Sequence, residues 1–119
     1  YSQGSENLSE NAKKIIDDPR NKIIVSIATL WEISIKVSLN KLEITNSFDS
    51  ILDDIINYNF ELININFQHL IIQNKLPFYH KDPFDRILVA QAISEKIDFI
   101  SIDSIMDSYL KTTAAKRIW

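Results

Sequence analysis

The chain has 119 residues, 45% of them hydrophobic and 24% charged, an ordinary globular mixture at a length that gives one domain its own core. It has no cysteine, which excludes disulfides, zinc–thiolate sites and cysteine nucleophiles, and its single glycine, Gly4, excludes glycine-rich phosphate loops. A net charge of −3 argues against a nonspecific nucleic-acid binder, which usually carries a basic excess, but it admits an enzyme that meets phosphates through metal ions. No unbroken apolar run is longer than five residues, far short of the ~20 that a membrane span needs, and the N-terminus is too polar for a signal peptide. The expected setting is cytoplasmic, without a membrane.

Ser9 is expected to cap a first helix running to about Asp18, with Ala12, Ile15 and Ile16 on one face and Pro19 as its stop. The β-branched stretch 22–26 reads as a buried strand. A second helix comes next, over about 28–39. Leu30, Ile33 and Val37 share one face, Trp31, Ile35 and Leu39 widen it, and Asn40 is a C-terminal stop. Ser47 is expected to cap a third helix carrying Phe48, Ile51, Leu52, Ile55 and Ile56 at helical spacing. Residues 60–65 form the next strand, Phe67, Leu70 and Ile71 mark a fourth helix, and 76–82 is a loop containing Pro77. The fifth helix has the clearest start, with Asp82 at N-cap and Pro83 at N1, and its apolar face is Phe84, Ile87, Leu88, Gln91 and Ala92. A strand over 98–102, a short helix over 104–110 and a last strand over 115–119 complete the pattern. Strands alternate with helices, which predicts an α/β fold, a parallel sheet covered by helices, in a single domain spanning 1–119.

In such sheets the functional site lies beyond the C-terminal ends of the strands. The places to search are after Ser26, around 82–86, and after Ile102, and each holds an acid. Each acid also has an ordinary role. Glu32 can pair with Lys36 at i+4. Asp85, three residues after Asp82, can complete a capping box. Asp103 can cap the segment after it. Gathered on one edge, however, three carboxylates repel unless a cation lies between them, and a hard divalent ion held by oxygen ligands is the usual solution. Magnesium or manganese bound in this way activates water and steadies an in-line phosphoryl displacement.

Two long segments and one short one resemble the PIN-domain family. Ser26-Ile27-Ala28-Thr29-Leu30-Trp31-Glu32-Ile33-Ser34-Ile35-Lys36 is similar to its first signature. His80-Lys81-Asp82-Pro83-Phe84-Asp85-Arg86-Ile87-Leu88-Val89-Ala90-Gln91-Ala92 is similar to its second. Phe99-Ile100-Ser101-Ile102-Asp103 is similar to the third, a strand ending in Ser/Thr-x-Asp, and Lys41-Leu42-Glu43-Ile44 and Ile118-Trp119 match in position. The resemblance runs from about residue 5 to 119. It implies a three-layer PIN-like fold and a small ribonuclease most like the VapC-type toxins of toxin–antitoxin pairs. Glu32, Asp85 and Asp103 are by motif position the catalytic acids, holding Mg2+ or Mn2+ whose activated water cleaves RNA. Asp82 takes a supporting role at the helix start, as does Ser26 at the end of its strand. Arg86 is expected to pair with a carboxylate or to meet the RNA backbone. His80 lies beside the expected cleft, as a loop histidine or a catalytic one. The implied partners are an RNA substrate, a small antitoxin whose tail covers the acidic cleft, and a second copy of the chain.

Family members begin with a central strand reading roughly Leu-Leu-Asp-Thr, whose Asp is a metal ligand. This sequence opens at Tyr1-Ser2-Gln3-Gly4-Ser5, which corresponds to the family's segment just after that strand, so the first strand and its Asp are expected to be missing from it. The expected explanation is that the gene product carries residues before Tyr1. A real truncation is the alternative. It would leave the chain either rescued by a partner strand or a catalytically inactive PIN-like binding module.

Overall fold

The computed structural model describes residues 8–44 and 46–119. The opening residues, which the resemblance places just after the family's first strand, lie outside them. The chain divides into two units, Tyr1–Asn64 and Ile65–Trp119.

In the first unit, helix α1 (Glu10–Asp17) starts as expected at Ser9, whose hydroxyl accepts the Ala12 N–H at 3.0 Å. It ends before Pro19, where the Arg20 guanidinium and backbone N–H both grip the Asp18 carboxylate and hold its pKa below the usual value. Strand β1 (Ile24–Ser26) runs into α2 (Ile27–Ser38), and α3 (Ser50–Asn57) leads to β2 (Glu61–Ile63). The two strands pair in parallel with Val25 opposite Leu62, a geometry that requires such a helical crossover. Ser26 closes the strand and opens the helix, its buried hydroxyl accepting the Ala28 N–H at 3.0 Å. At the other end of α2, Lys41 N–H bonds the Lys36 carbonyl at 2.8 Å and Asn40 N–H bonds that of Val37 at 3.1 Å. This is a Schellman closure. It needs a left-handed residue, and Asn40 supplies it with φ of 56°. The start of α3 departs from expectation. Its N-cap is Asp49 rather than Ser47 and makes no side-chain cap bond, because Asp49 already has helical dihedrals. Ser47 contributes its carbonyl instead, to the N–H and hydroxyl of Ser50.

The second unit contains α4 (Phe67–Lys75), α5 (Pro83–Glu95), β3 (Phe99–Ile100), a 3-10 turn (Ser104–Met106), α6 (Asp107–Leu110) and β4 (Arg117–Ile118). Strands β3 and β4 pair in parallel. The core consists of Val89, Ala92, Met106, Tyr109, Leu110 and Ala115, flanked by Leu76, Ile93, Ile97 and Phe99. Helix α5 is buried more widely than a single apolar stripe. Arg86, Ile87, Val89, Ala90, Gln91 and Ala92 are all buried, while the expected Phe84 and Leu88 are only half-buried. The helix packs against both α4 and α6, so more than one of its sides is covered.

His69 joins α4 to α5. It is fully buried and closes a capping box with Asn66: Asn66 Oδ1 accepts the His69 N–H at 3.0 Å, and His69 Nδ1 accepts the Asn66 N–H at 3.1 Å. With Nδ1 an acceptor, Nε2 carries the proton and donates to Glu95 Oε2 at 3.2 Å.

The mixed α/β character and the parallel pairing agree with expectation. Among the described residues the expected single sheet is two parallel pairs, one in each unit, and each strand is shorter than its β-branched stretch. Beyond the strand ends a few backbone bonds continue, Glu61 N–H to Ile23 O at 2.8 Å and Ser101 N–H to Ile118 O at 3.1 Å, and side chains add to them. Lys22 pairs with the Glu61 carboxylate at 2.8 Å, and Asp98 Oδ1 accepts the Lys116 N–H at 3.1 Å. Among the described residues no helix is long and apolar enough to cross a membrane.

Candidate metal centre

The site is built at the N-terminus of α5. The first N–H groups of a helix have no partner within it. Here Pro83 at N1 removes one of them, and Asp82 Oδ1 accepts two others, from Phe84 at 2.9 Å and from Asp85 at 3.4 Å. Asp82 is therefore the cap, the supporting role the sequence predicts. Asp82→Ala is expected to cost about 1 kcal/mol of stability, read as a lower urea midpoint. An unchanged midpoint would show that the cap is dispensable.

With Asp82 on the backbone, the Asp85 carboxylate faces the loop before the helix. Its Oδ2 lies 2.9 Å from Nε2 of His80. Asp103 approaches the same imidazole from the segment after β3. Its N–H donates to Ser101 Oγ at 3.1 Å, and its Oδ1 accepts the Ile105 N–H at 3.1 Å, capping the 3-10 turn. Its Oδ2 then stands 3.6 Å from His80 Nε2. Ligand atoms of His80, Asp85 and Asp103 thus lie within 4.8 Å of one another, and all three side chains are partly exposed. At that separation two carboxylates repel by about 1 kcal/mol in water-like surroundings and by about 3 kcal/mol at an effective dielectric constant of ~20. A divalent cation relieves that repulsion. The donor set fits a hard ion such as Mg2+ or Mn2+: carboxylate oxygens, no thiolate, and access to solvent for the waters such an ion retains.

Arg86 has a different place from the one expected. Only 2% exposed, it directs its guanidinium at backbone carbonyls of the loop rather than at a carboxylate or outward. Its Nη1 donates to Pro77 O at 2.8 Å, and its Nη2 donates to Gln73 O at 3.1 Å and Leu76 O at 3.2 Å. The Phe78 ring stacks 4.1 Å from its Cζ. The same guanidinium bonds the Tyr109 hydroxyl at 3.2 Å. That hydroxyl in turn accepts the His80 N–H at 2.8 Å and donates to His80 O at 3.2 Å. Arg86 and Tyr109 therefore fix the backbone of the loop that presents His80. Tyr109 has no sequence signal for this role, since it reads only as an apolar residue of a short helix. His80 had one: a histidine five residues before an acid, across a capped helix start, falls where the chain doubles back.

Glu32 belongs to the first unit. It sits in the second turn of α2 and pairs with Lys36 at 3.3 Å, the i, i+4 ion pair that its spacing allows. Ser26 caps the same helix.

Helices alternating with short parallel strands, and an acid-bearing helix start facing an acid after a strand, define an α/β domain with a candidate divalent-metal centre. Over residues 1–110 the chain matches the family model of the PIN domain, and it belongs to that family. PIN domains are generally nucleases and typically bind a divalent metal. The comparison with curated proteins finds no match.

Proposed function

We propose that the chain is a metal-dependent endoribonuclease and acts as the toxin of a toxin–antitoxin pair. The observation that carries this reading is the meeting of Asp85 and Asp103 within 4.8 Å beside His80, in a chain of the PIN family. Asp85 and Asp103 would hold Mg2+ or Mn2+, with Glu32 as the third acid by motif position. When bound, such an ion supplies positive charge that polarises a phosphate and acidifies water. This chain's own residues keep the acids in place: Asp82 starts the helix that carries Asp85, the backbone N–H of Ile105 holds Asp103, and Arg86 with Tyr109 holds the loop of His80. The acidic net charge is consistent with a site that meets RNA through a cation.

An antitoxin partner is supported by the apolar residues left exposed on α2. Trp31, Ile35 and Leu39 succeed one another at steps of four, and Trp31 and Leu39 are each more than half exposed. Leu52 and Ile56 on α3 are exposed in the same manner and are the surface for a second copy. Ile15 and Ile16 on α1, the other expected interface, are half-buried.

The test is a single-stranded RNA of mixed sequence incubated with the chain in Mn2+, in Mg2+, and with excess chelator. Cleavage that needs the ion and stops on chelation is the expected result. RNA retained on the protein but uncut, with Mn2+ bound, would point instead to the inactive binding module.

A further inference from the structure

His80 offers an imidazole to both acids, and a metal-centre reading leaves two roles for it: a ligand through Nε2, or a donor that sets a carboxylate in place. The ring's other nitrogen separates them. Nδ1 accepts the Lys81 N–H at 3.1 Å, so it carries no proton and the proton resides on Nε2. That Nε2–H lies 2.9 Å from Asp85 Oδ2, within hydrogen-bond range, and 3.6 Å from Asp103 Oδ2, beyond it. To bind an ion through Nε2, the ring would have to move its proton to Nδ1, where it would confront the Lys81 N–H donor against donor. The backbone leaves little freedom to escape this, because the N–H and carbonyl of His80 are both bonded to the Tyr109 hydroxyl.

We propose that His80 is a positioning residue: its fixed Nε2–H orients the Asp85 carboxylate for a divalent cation shared with Asp103, and the imidazole stays outside the cation's coordination shell. The arrangement is the carboxylate counterpart of a hydrogen-bonded metal ligand, where such outer partners typically govern affinity by about 10- to 100-fold. The inference rests on the proposed metal centre. It adds to that centre the identity of the group that holds the acid.

The probe is Mn2+ alone, titrated into the 119-residue chain and followed by electron paramagnetic resonance, with pulsed measurement of nitrogen coupling to the bound ion. Wild type is expected to bind Mn2+ without the coupling of a directly coordinated imidazole nitrogen. His80→Gln places an amide N–H near the position of Nε2 and is expected to keep affinity within about 3-fold. His80→Leu lacks the donor and is expected to bind about 10-fold or more weakly. It is expected to fold as wild type does, with a melting curve lowered only modestly by the lost bond to Asp85, since the ties to Tyr109 are made by the backbone. Strong nitrogen coupling in wild type would make His80 a ligand and overturn the inference while the metal centre stands. Wild-type affinity in His80→Leu would also overturn it. Absence of Mn2+ binding by the wild-type chain would overturn the metal centre and this inference with it.

Discussion

Asp85→Ala is expected to lower Mn2+ affinity and RNA cleavage by about 100-fold or more, because partners one shell further out already govern 10- to 100-fold. The same substitution is expected to leave the fold in place. The helix start does not depend on this carboxylate, since Asp82 takes the N–H groups of Phe84 and Asp85 itself. Among the described partners, what folding loses is the hydrogen bond to His80, worth about 0.5–1.5 kcal/mol. What it gains is relief of the repulsion from Asp103, about 1 kcal/mol in water-like surroundings. The two nearly cancel for side chains that are partly exposed. The melting temperature is therefore expected to move little while binding collapses, and calorimetric titration beside a melt separates the two. A folded Asp85→Ala chain that still cleaved RNA at the wild-type rate would remove Asp85 from the site.

Arg86→Ala should do the opposite. The guanidinium is buried, and it satisfies three backbone carbonyls at 3.2 Å or less and the Tyr109 hydroxyl. An acceptor left without its donor costs about 1–3 kcal/mol where it is shielded from water, and these carbonyls are partly shielded, so truncation is expected to cost about 3–5 kcal/mol after water enters part of the space. That is a large share of the stability of a chain this size. Arg86→Lys is expected to recover only part of it. An ammonium has three donors on one atom and cannot span carbonyls that the planar fork reaches with two nitrogens, nor stack on Phe78 as that fork does. Urea unfolding measures both variants, and an Arg86→Ala chain as stable as wild type would mean that the loop holds itself. A milder variant, Tyr109→Phe, keeps the ring in the core but removes the hydroxyl that carries the loop's load to His80.

Local signals in the sequence were reliable where one residue type solves one local problem. Ser9 and Asp82 stand at helix starts because an extended residue with a short oxygen can reach back to orphan N–H groups, and Pro83 fits beside a cap because its missing N–H is not needed there. Asn40 ends α2 because the closure requires a left-handed residue. By type Ser47 and Asp49 are both acceptable caps for α3, and only the backbone dihedrals distinguish them. The strands are shorter than the β-branched stretches because such residues mark a propensity, while a strand exists only where a neighbour's backbone meets it.

Site residues divide in the same way. Asp85 and Asp103 could be named from motif spacing, together with the expectation that acids at strand and helix ends gather on one edge. Arg86 was named too, but its direction was not legible. A cation after an acid at a helix start can face solvent, a phosphate or the protein interior, and the choice depends on which carbonyls the loop 76–82 leaves without donors. That loop's path is a tertiary fact, as is the hydroxyl of Tyr109, 29 residues along the chain from His80. The starts of α1 and α5, the stop of α2, the α/β alternation and the acids are legible in the residues alone, because each arises from a backbone requirement within a few residues or from a motif. The tertiary structure alone decided that His80 presents its Nε2–H to Asp85 and that Arg86 is buried under the loop, because both depend on hydrogen-bond partners contributed by segments far apart in the chain.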